Sequence, residues 1–187
     1  TITPTLRARV MSSAYFFDKA SHLEILEQLN AELRNLPEED FKGKKIVTTG
    51  IIANSPGVLK VFETYNFGIV ADNVNHESGQ FDYLVDEGTR NPVRALSKWL
   101  SDIEGSTFLY DPEKLRGKII TEKVKKYNAE GVIYLLTKFS ESEEFDYPII
   151  SDELNKSNIK NILIEVDQQM TNFEQANTAL QTFADMI

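Results

Sequence analysis

Four short apolar runs constrain this chain more than any other feature. They are Lys44-Lys45-Ile46-Val47-Thr48-Thr49-Gly50, Phe67-Gly68-Ile69-Val70-Ala71-Asp72, Gly131-Val132-Ile133-Tyr134-Leu135-Leu136-Thr137 and Asn161-Ile162-Leu163-Ile164-Glu165-Val166. Each core is close to continuously apolar instead of alternating, which is the pattern of a strand buried on both faces. Helical patterns separate the runs. Alternation of strand and helix with doubly buried strands specifies an α/β fold. The expected architecture is a parallel sheet of about four strands with helices on both faces, flavodoxin-like or Rossmann-like.

The helix signals are local. Ser21-His22-Leu23-Glu24 has the form of a capping box, and Leu23, Leu26, Leu29, Leu33 and Leu36 follow at helical spacing. The spacing predicts a helix from Ser21 to Leu36, ended by Pro37 and Glu38-Glu39-Asp40. Residues 1–17 read as a helical arm or wrap, so residues 1–40 form an N-terminal arm and 41–187 the α/β domain. Ser55-Pro56 and Asn91-Pro92 each place a capping residue before a proline suited to the first helical position. Pro112 predicts a helix running to Tyr127. Residues 145–157 and 172–187 read as the last two helices. His22, near a helix start, reads as a surface residue. Residues 72–90 carry no periodicity, and a connection that long is often functional.

Composition sets the exclusions. Of the 187 residues, 41% are hydrophobic, which supports a packed core and excludes a disordered or fibrous chain. No apolar run is long enough to span a membrane, and no signal peptide is visible at the start. Twenty basic against 29 acidic side chains give a net charge of −9, which disfavours a nucleic-acid partner and suits a cytoplasmic protein. There is no cysteine, so disulfides, thiolate metal sites and a cysteine nucleophile are excluded. Two histidines are too few for a convincing zinc site.

In open parallel sheets, ligands bind outside the carboxyl ends of the strands. The polar clusters of this chain fall there. After the first strand, Ser55 precedes a helix whose amides can hold an anion; a plain helix cap is the alternative. No G-x-G-x-x-G and no P-loop pattern occurs. After the second, His76 and Glu77, with Asp72 and Asp82, form a possible acid/base or metal cluster, or a surface loop of turn-forming residues. After the third come Ser140, Asp146 and Tyr147, candidates to bind or position a substrate. After the fourth, Glu165 and Asp167 lie two apart on one side of an extended chain.

These segments carry a resemblance. Asp72 to Phe81 (DNVNHESGQF), Tyr110-Asp111-Pro112 with Arg116-Gly117, Gly131-Val132-Ile133, Lys138 to Pro148 (KFSESEEFDYP), Ile164 to Gln169 (IEVDQQ) and Phe173 to Ile187 (FEQANTALQTFADMI) resemble the C-terminal half of a 2-hydroxyacyl-CoA dehydratase subunit. That family includes the 2-hydroxyglutaryl-CoA dehydratases and, more distantly, the benzoyl-CoA reductases. The resemblance implies a Rossmann-like domain in a subunit paired with a paralogous subunit. It also implies a [4Fe-4S] cluster held between two halves, an ATP-dependent activator protein, and radical dehydration of a 2-hydroxyacyl-CoA to a 2-enoyl-CoA. By the same resemblance the N-terminal half has no counterpart here.

Departures accompany the matches. Ser140 stands where the family has a cluster-ligating cysteine, and Ser106 where it often has another. Gly79 and Ala179 stand where it has arginines. A serine hydroxyl is a poor substitute for a thiolate on iron. Deliberate removal of cysteines would account for the two serines but not for Gly79 or Ala179, so the pattern points to a degenerate relative. The expectation is a dehydratase-type domain without a cofactor of its own, inactive by itself, with Ser55, Ser140 and Tyr147 in substrate binding and His76, Glu77 and Asp146 as candidate catalytic groups. Two other readings stay open. One is a non-catalytic acyl-CoA-binding or assembly module. The other is an unrelated flavodoxin-like enzyme using Asp72, His76 and Glu165.

Overall fold

In a computed structural model, described for residues 2–37, 40–167 and 169–187, the four expected strands form one parallel sheet. Expectations placed on Glu38, Glu39 and Gln168 lie outside the described residues. The strands are β1 (Lys44–Gly50), β2 (Phe67–Val74), β3 (Gly131–Thr137) and β4 (Lys160–Val166), in the order β2-β1-β3-β4. All three pairings are parallel. The helices are α1 (Pro4–Ser13), α2 (Lys19–Asn35), α3 (Pro56–Thr64), α4 (Pro92–Ser101), α5 (Arg116–Lys126), α6 (Glu141–Lys156) and α7 (Glu174–Met186).

Side-chain alternation along the buried strands splits the core in two. Ile133 and Leu135 of β3 face a layer made by Val58, Leu59 and Phe62 of α3 and Leu180 and Phe183 of α7. Val132, Tyr134 and Leu136 face Ile120 and Val124 of α5 and Ile150 and Leu154 of α6. Both faces are therefore covered, as continuous apolar runs require. Gly117 lets α5 approach α6 closely: a Cβ there would lie 2.9 Å from Glu153 Cβ.

Several boundaries differ from the sequence expectation, each for a local reason. The capping residue of α2 is Asp18, not Ser21; its Oδ1 accepts from the amides of Ala20 and Ser21 at 3.1 and 3.0 Å, so the helix starts earlier. Pro112 does not open a helix. Asp111 ties the amides of Glu113 and Leu115 into a turn, and α5 begins at Arg116. Pro148 lies inside α6, which starts at Glu141. His22 is buried at 8% exposure, with its Nε2 2.8 Å from Ser13 Oγ. Of the stretch 72–90, expected to be aperiodic, residues 72–74 complete β2 and Ser78–Gln80 form a 3-10 turn. Asn91 caps α4 as expected, accepting from the Arg94 amide at 3.1 Å.

Candidate functional site at the carboxyl ends of the strands

The strand order changes direction between β1 and β3: from β1 the chain passes outward to β2, then returns to the other side. That switch point is where open α/β sheets leave a crevice. Gly50 ends β1 there with φ 146°, and a Cβ would fall 2.3 Å from the Leu135 carbonyl oxygen. The close approach needs glycine, and it turns the chain into the Ile51 to Ser55 segment.

A cavity of about 380 Å³ opens at this point. Asn54 and Ser55 line it from the segment after β1, His76 from the turn after β2, Thr137 from the end of β3, Asp167 from just after β4, and Phe173 from the residue before α7. A second space of about 500 Å³ adjoins it through Val166, Asp167 and Met170, and is lined by Lys138, Glu165, Gln169 and Glu174. Ser55 sits in the capping position of α3, but its side chain does not cap the helix. The His76 ring stacks on Tyr15, with centroids 4.7 Å apart and planes 11° from parallel. Among the described residues its buried Nε2 has no hydrogen-bond partner, and neither does Thr137 Oγ1.

Two buried polar clusters hold the loops that form this crevice. In the first, the Arg116 guanidinium, 4% exposed, lies beneath the strand ends. Its Nη2 donates to Thr49 Oγ1 at 2.8 Å, its Nε to Asn73 Oδ1 at 3.0 Å and its Nη1 to the Tyr134 hydroxyl at 2.9 Å. One arginine thereby ties together β1, β2 and β3. Glu143 lies 4.0 Å from it and accepts from the Thr137 amide at 3.0 Å, which fixes the loop from β3 to α6. Burial pushes the Glu143 carboxyl above the usual carboxylate range, against the opposing pull of the Thr137 amide and Arg116. Burial likewise pushes the Tyr134 hydroxyl up to about 12.

In the second cluster, Arg7 of α1 forms ion pairs with both Asp72 and Glu77. Asp72 Oδ1 also accepts from the amides of Val74 and Ser78, at 2.9 and 3.1 Å. Lys123 of α5 reaches the Asp72 carbonyl and Asp82, both at 2.6 Å. Burial raises the Glu77 carboxyl, and the Arg7 charge opposes that rise.

The residues singled out from sequence are thus distributed among separate sites. Ser55 and His76 meet in one cavity. Glu77 is 1% exposed and belongs to the Arg7 cluster, while His76 bonds to none of Asp72, Glu77 or Asp82. Ser140 occupies the capping position of α6, with its Oγ 3.5 Å from Ser142 Oγ. Asp146 pairs with Lys114 at 2.9 Å, on the side of α5 and α6. Tyr147 packs edge-on against Tyr134, with centroids 5.3 Å apart. The sequence reading gave no role to Arg7 or to Arg116. A lone arginine on a helix carries no spacing signal; the only hint was the place of Arg116 in a matched motif.

The arrangement can bind and orient a polar ligand: an apolar wall at Phe173 and Met170 faces hydroxyl, amide, imidazole and carboxylate groups. Among the described residues, no three histidine, cysteine, aspartate or glutamate side chains are grouped to hold a metal ion. Among the described residues, no helix is long and apolar enough to cross a membrane.

Comparison with known proteins places the chain. The family described as 2-hydroxyglutaryl-CoA dehydratase, D-component, matches residues 1–187. The chain is 44% identical over 186 residues to the (R)-phenyllactyl-CoA dehydratase beta subunit of Clostridium sporogenes, covering 100% of this chain and 49% of that protein. It is 37% identical over 189 residues to the beta subunit of (R)-2-hydroxyglutaryl-CoA dehydratase of Acidaminococcus fermentans, covering 100% of this chain and 50% of that protein. It is 32% identical over 181 residues to the lactoyl-CoA dehydratase beta subunit of Anaerotignum propionicum, covering 97% of this chain and 48% of that protein. The chain spans about half the length of these relatives.

Proposed function

Because this chain belongs to the 2-hydroxyglutaryl-CoA dehydratase D-component family, we propose that it is one half of a 2-hydroxyacyl-CoA dehydratase subunit of the beta type. The reaction served is radical dehydration of a 2-hydroxyacyl-CoA to a 2-enoyl-CoA. The observation that carries this reading is the family match over residues 1–187, alongside identities of 44%, 37% and 32% to three dehydratase beta subunits. The partners follow from the same footing: the half of the subunit that this chain does not span, a paralogous subunit, and an ATP-dependent activator protein.

The residues present do not fit the family's [4Fe-4S] cluster. The chain has no cysteine. Ser140 stands at the position of the family's cluster cysteine, and its hydroxyl has a serine neighbour, not a second soft ligand. We therefore place the iron chemistry outside this segment and assign the segment a binding role. Ser55 and His76 contact the acyl portion of the thioester from the cavity wall. Ser140, on the loop fixed by Glu143, faces the absent half. Tyr147 supports Tyr134 and hence the Arg116 cluster. Glu77 and Asp146, each already paired with a cation, hold α1 and α6 in place and move no proton.

The absence of any thiol favours the non-catalytic variant of this reading over a self-sufficient enzyme. The test is anaerobic. The chain is incubated with activator, ATP, reductant and a 2-hydroxyacyl-CoA, alone and with the unspanned half plus the paralogous subunit. Turnover only in the completed mixture is expected. Turnover by this chain alone, or stoichiometric iron uptake by it, would overturn the assignment.

A further inference from the structure

The helix α2 is out of place for a domain of this kind. It runs 17 residues, Lys19–Asn35, yet among the described residues it packs substantially against no other element. A helix of this length without tertiary packing is only marginally stable in water, and here the sequence is not rich in alanine. Its one buried residue is His22.

Its apolar residues are not scattered. Within α2, Leu26, Leu29 and Leu33 repeat at spacings of three and four, the seam of a helix that packs on another, and each is half-buried; Leu36 follows in the extended residue after the helix. Leu23 and Ile25 flank the seam, exposed at 56% and 42%, and Leu36 is exposed at 58%. The first half of the face is thus wider than a two-stranded seam, the width of a helix laid onto a domain. Phe16, 83% exposed, extends the apolar surface at the entrance to the helix. The helix α4 repeats the pattern on its own, with Val93, Leu96 and Leu100 at half exposure or more. Unpartnered apolar surface on two helices matches a domain-sized partner.

A second copy of this chain fits less well. It would bring together two copies of a chain with a net charge of −9. The relatives supply the alternative: each is about twice the length of this chain. We infer that the leucine face of α2 is the docking surface for the half of the dehydratase beta subunit that this chain does not span. This inference rests on the dehydratase reading above. It gives the N-terminal residues a purpose: α1 is anchored to the strand ends by Arg7, and α2, joined to α1 by the His22–Ser13 contact, is held out to meet the other half.

The experiment uses this chain and the unmatched half of the Clostridium sporogenes beta subunit, produced separately and mixed, with that relative's own matched half as control. Complex formation is read by light scattering after gel filtration, for the wild type and for Leu26→Glu/Leu33→Glu. The expected result is a one-to-one complex with the wild type, weakened at least tenfold by the substitutions. Thermal unfolding of the chain alone stays unchanged, because α2 adds little to the sheet core. A complex that the substitutions leave intact would overturn the inference and leave the dehydratase reading standing. A homodimer of this chain that the substitutions break would also overturn it, since a second copy would then cover α2. No complex with this chain, while the control halves associate, would count against the dehydratase reading itself.

Discussion

Replacing Arg116 with methionine tests the core of the structural account. The substitution keeps the side-chain length and apolar stem while removing the guanidinium. Three acceptors lose a donor at once, Thr49 Oγ1, Asn73 Oδ1 and the Tyr134 hydroxyl, and Glu143 loses the cation 4.0 Å away. Removing one partner of a buried pair costs about 3–5 kcal/mol, because the other charge stays buried and uncompensated. Against a domain stability of about 5–15 kcal/mol, Arg116→Met should remain folded at neutral pH but melt far earlier. The pH dependence follows from Glu143. Burial already raises its folded-state pKa above the unfolded value. Such a group binds a proton on folding, so stability falls as pH rises through that interval. Loss of Arg116 raises the folded-state pKa further, and the deficit should therefore be smaller at pH 5 than at pH 7. Adding Glu143→Gln removes the stranded charge and should return about 1 kcal/mol or more. Urea unfolding followed by circular dichroism measures each variant. A deficit below about 1 kcal/mol, an equal deficit at both pH values, or no recovery in the double variant would refute the reasoning.

Other perturbations bear on the same framework. Arg7→Met strands Asp72 and Glu77 and should lower stability by about 3 kcal/mol, with amide exchange rising first in α1; protection of α1 equal to wild type would contradict the anchor. Gly50→Ala puts a Cβ 2.3 Å from the Leu135 carbonyl oxygen and should cost about 2 kcal/mol or more in thermal unfolding, while the exposed Gly88→Ala, with open space around it, should cost less. Tyr134 should ionise near 12 in an ultraviolet titration, and Tyr134→Phe should remove that late phase. Because its folded-state pKa is raised, that group withdraws stability only above its unfolded pKa, so alkaline unfolding should begin later in Tyr134→Phe.

Much of the architecture was written in local sequence. The central strands β1 and β3 are covered on both faces and read as apolar runs, and the edge strands β2 and β4 keep enough of that pattern to be visible, and with them the crevice at their carboxyl ends. Helix starts were less legible where two capping signals competed. Asp18 outranks Ser21 because it reaches two amides at once. Asp111 captures the chain before Pro112 can open a helix. The site was legible only in outline. Ser55 and His76 come together because both follow strand ends, a matter of topology. The charge clusters were invisible for the opposite reason. Arg7 lies 65 residues from Asp72, and Arg116 lies 43 from Asn73, separations that no local pattern encodes. The apparent group of His76, Glu77, Asp72 and Asp82 shows the same limit: Arg7 and Lys123 gather the three carboxylates into one ion-paired cluster, while the His76 ring stacks on Tyr15 outside it.

The central claim is that a thioester-binding crevice persists at the strand ends of a segment without thiols. Calorimetric titration under anaerobic conditions tests it most directly, with coenzyme A, a 2-hydroxyacyl-CoA and a 2-enoyl-CoA as ligands, on the wild type and on His76→Ala. The account predicts that both thioesters bind more tightly than coenzyme A alone and that His76→Ala narrows the difference. Equal heats for all three ligands, or none from any, would contradict it and leave this segment an assembly domain.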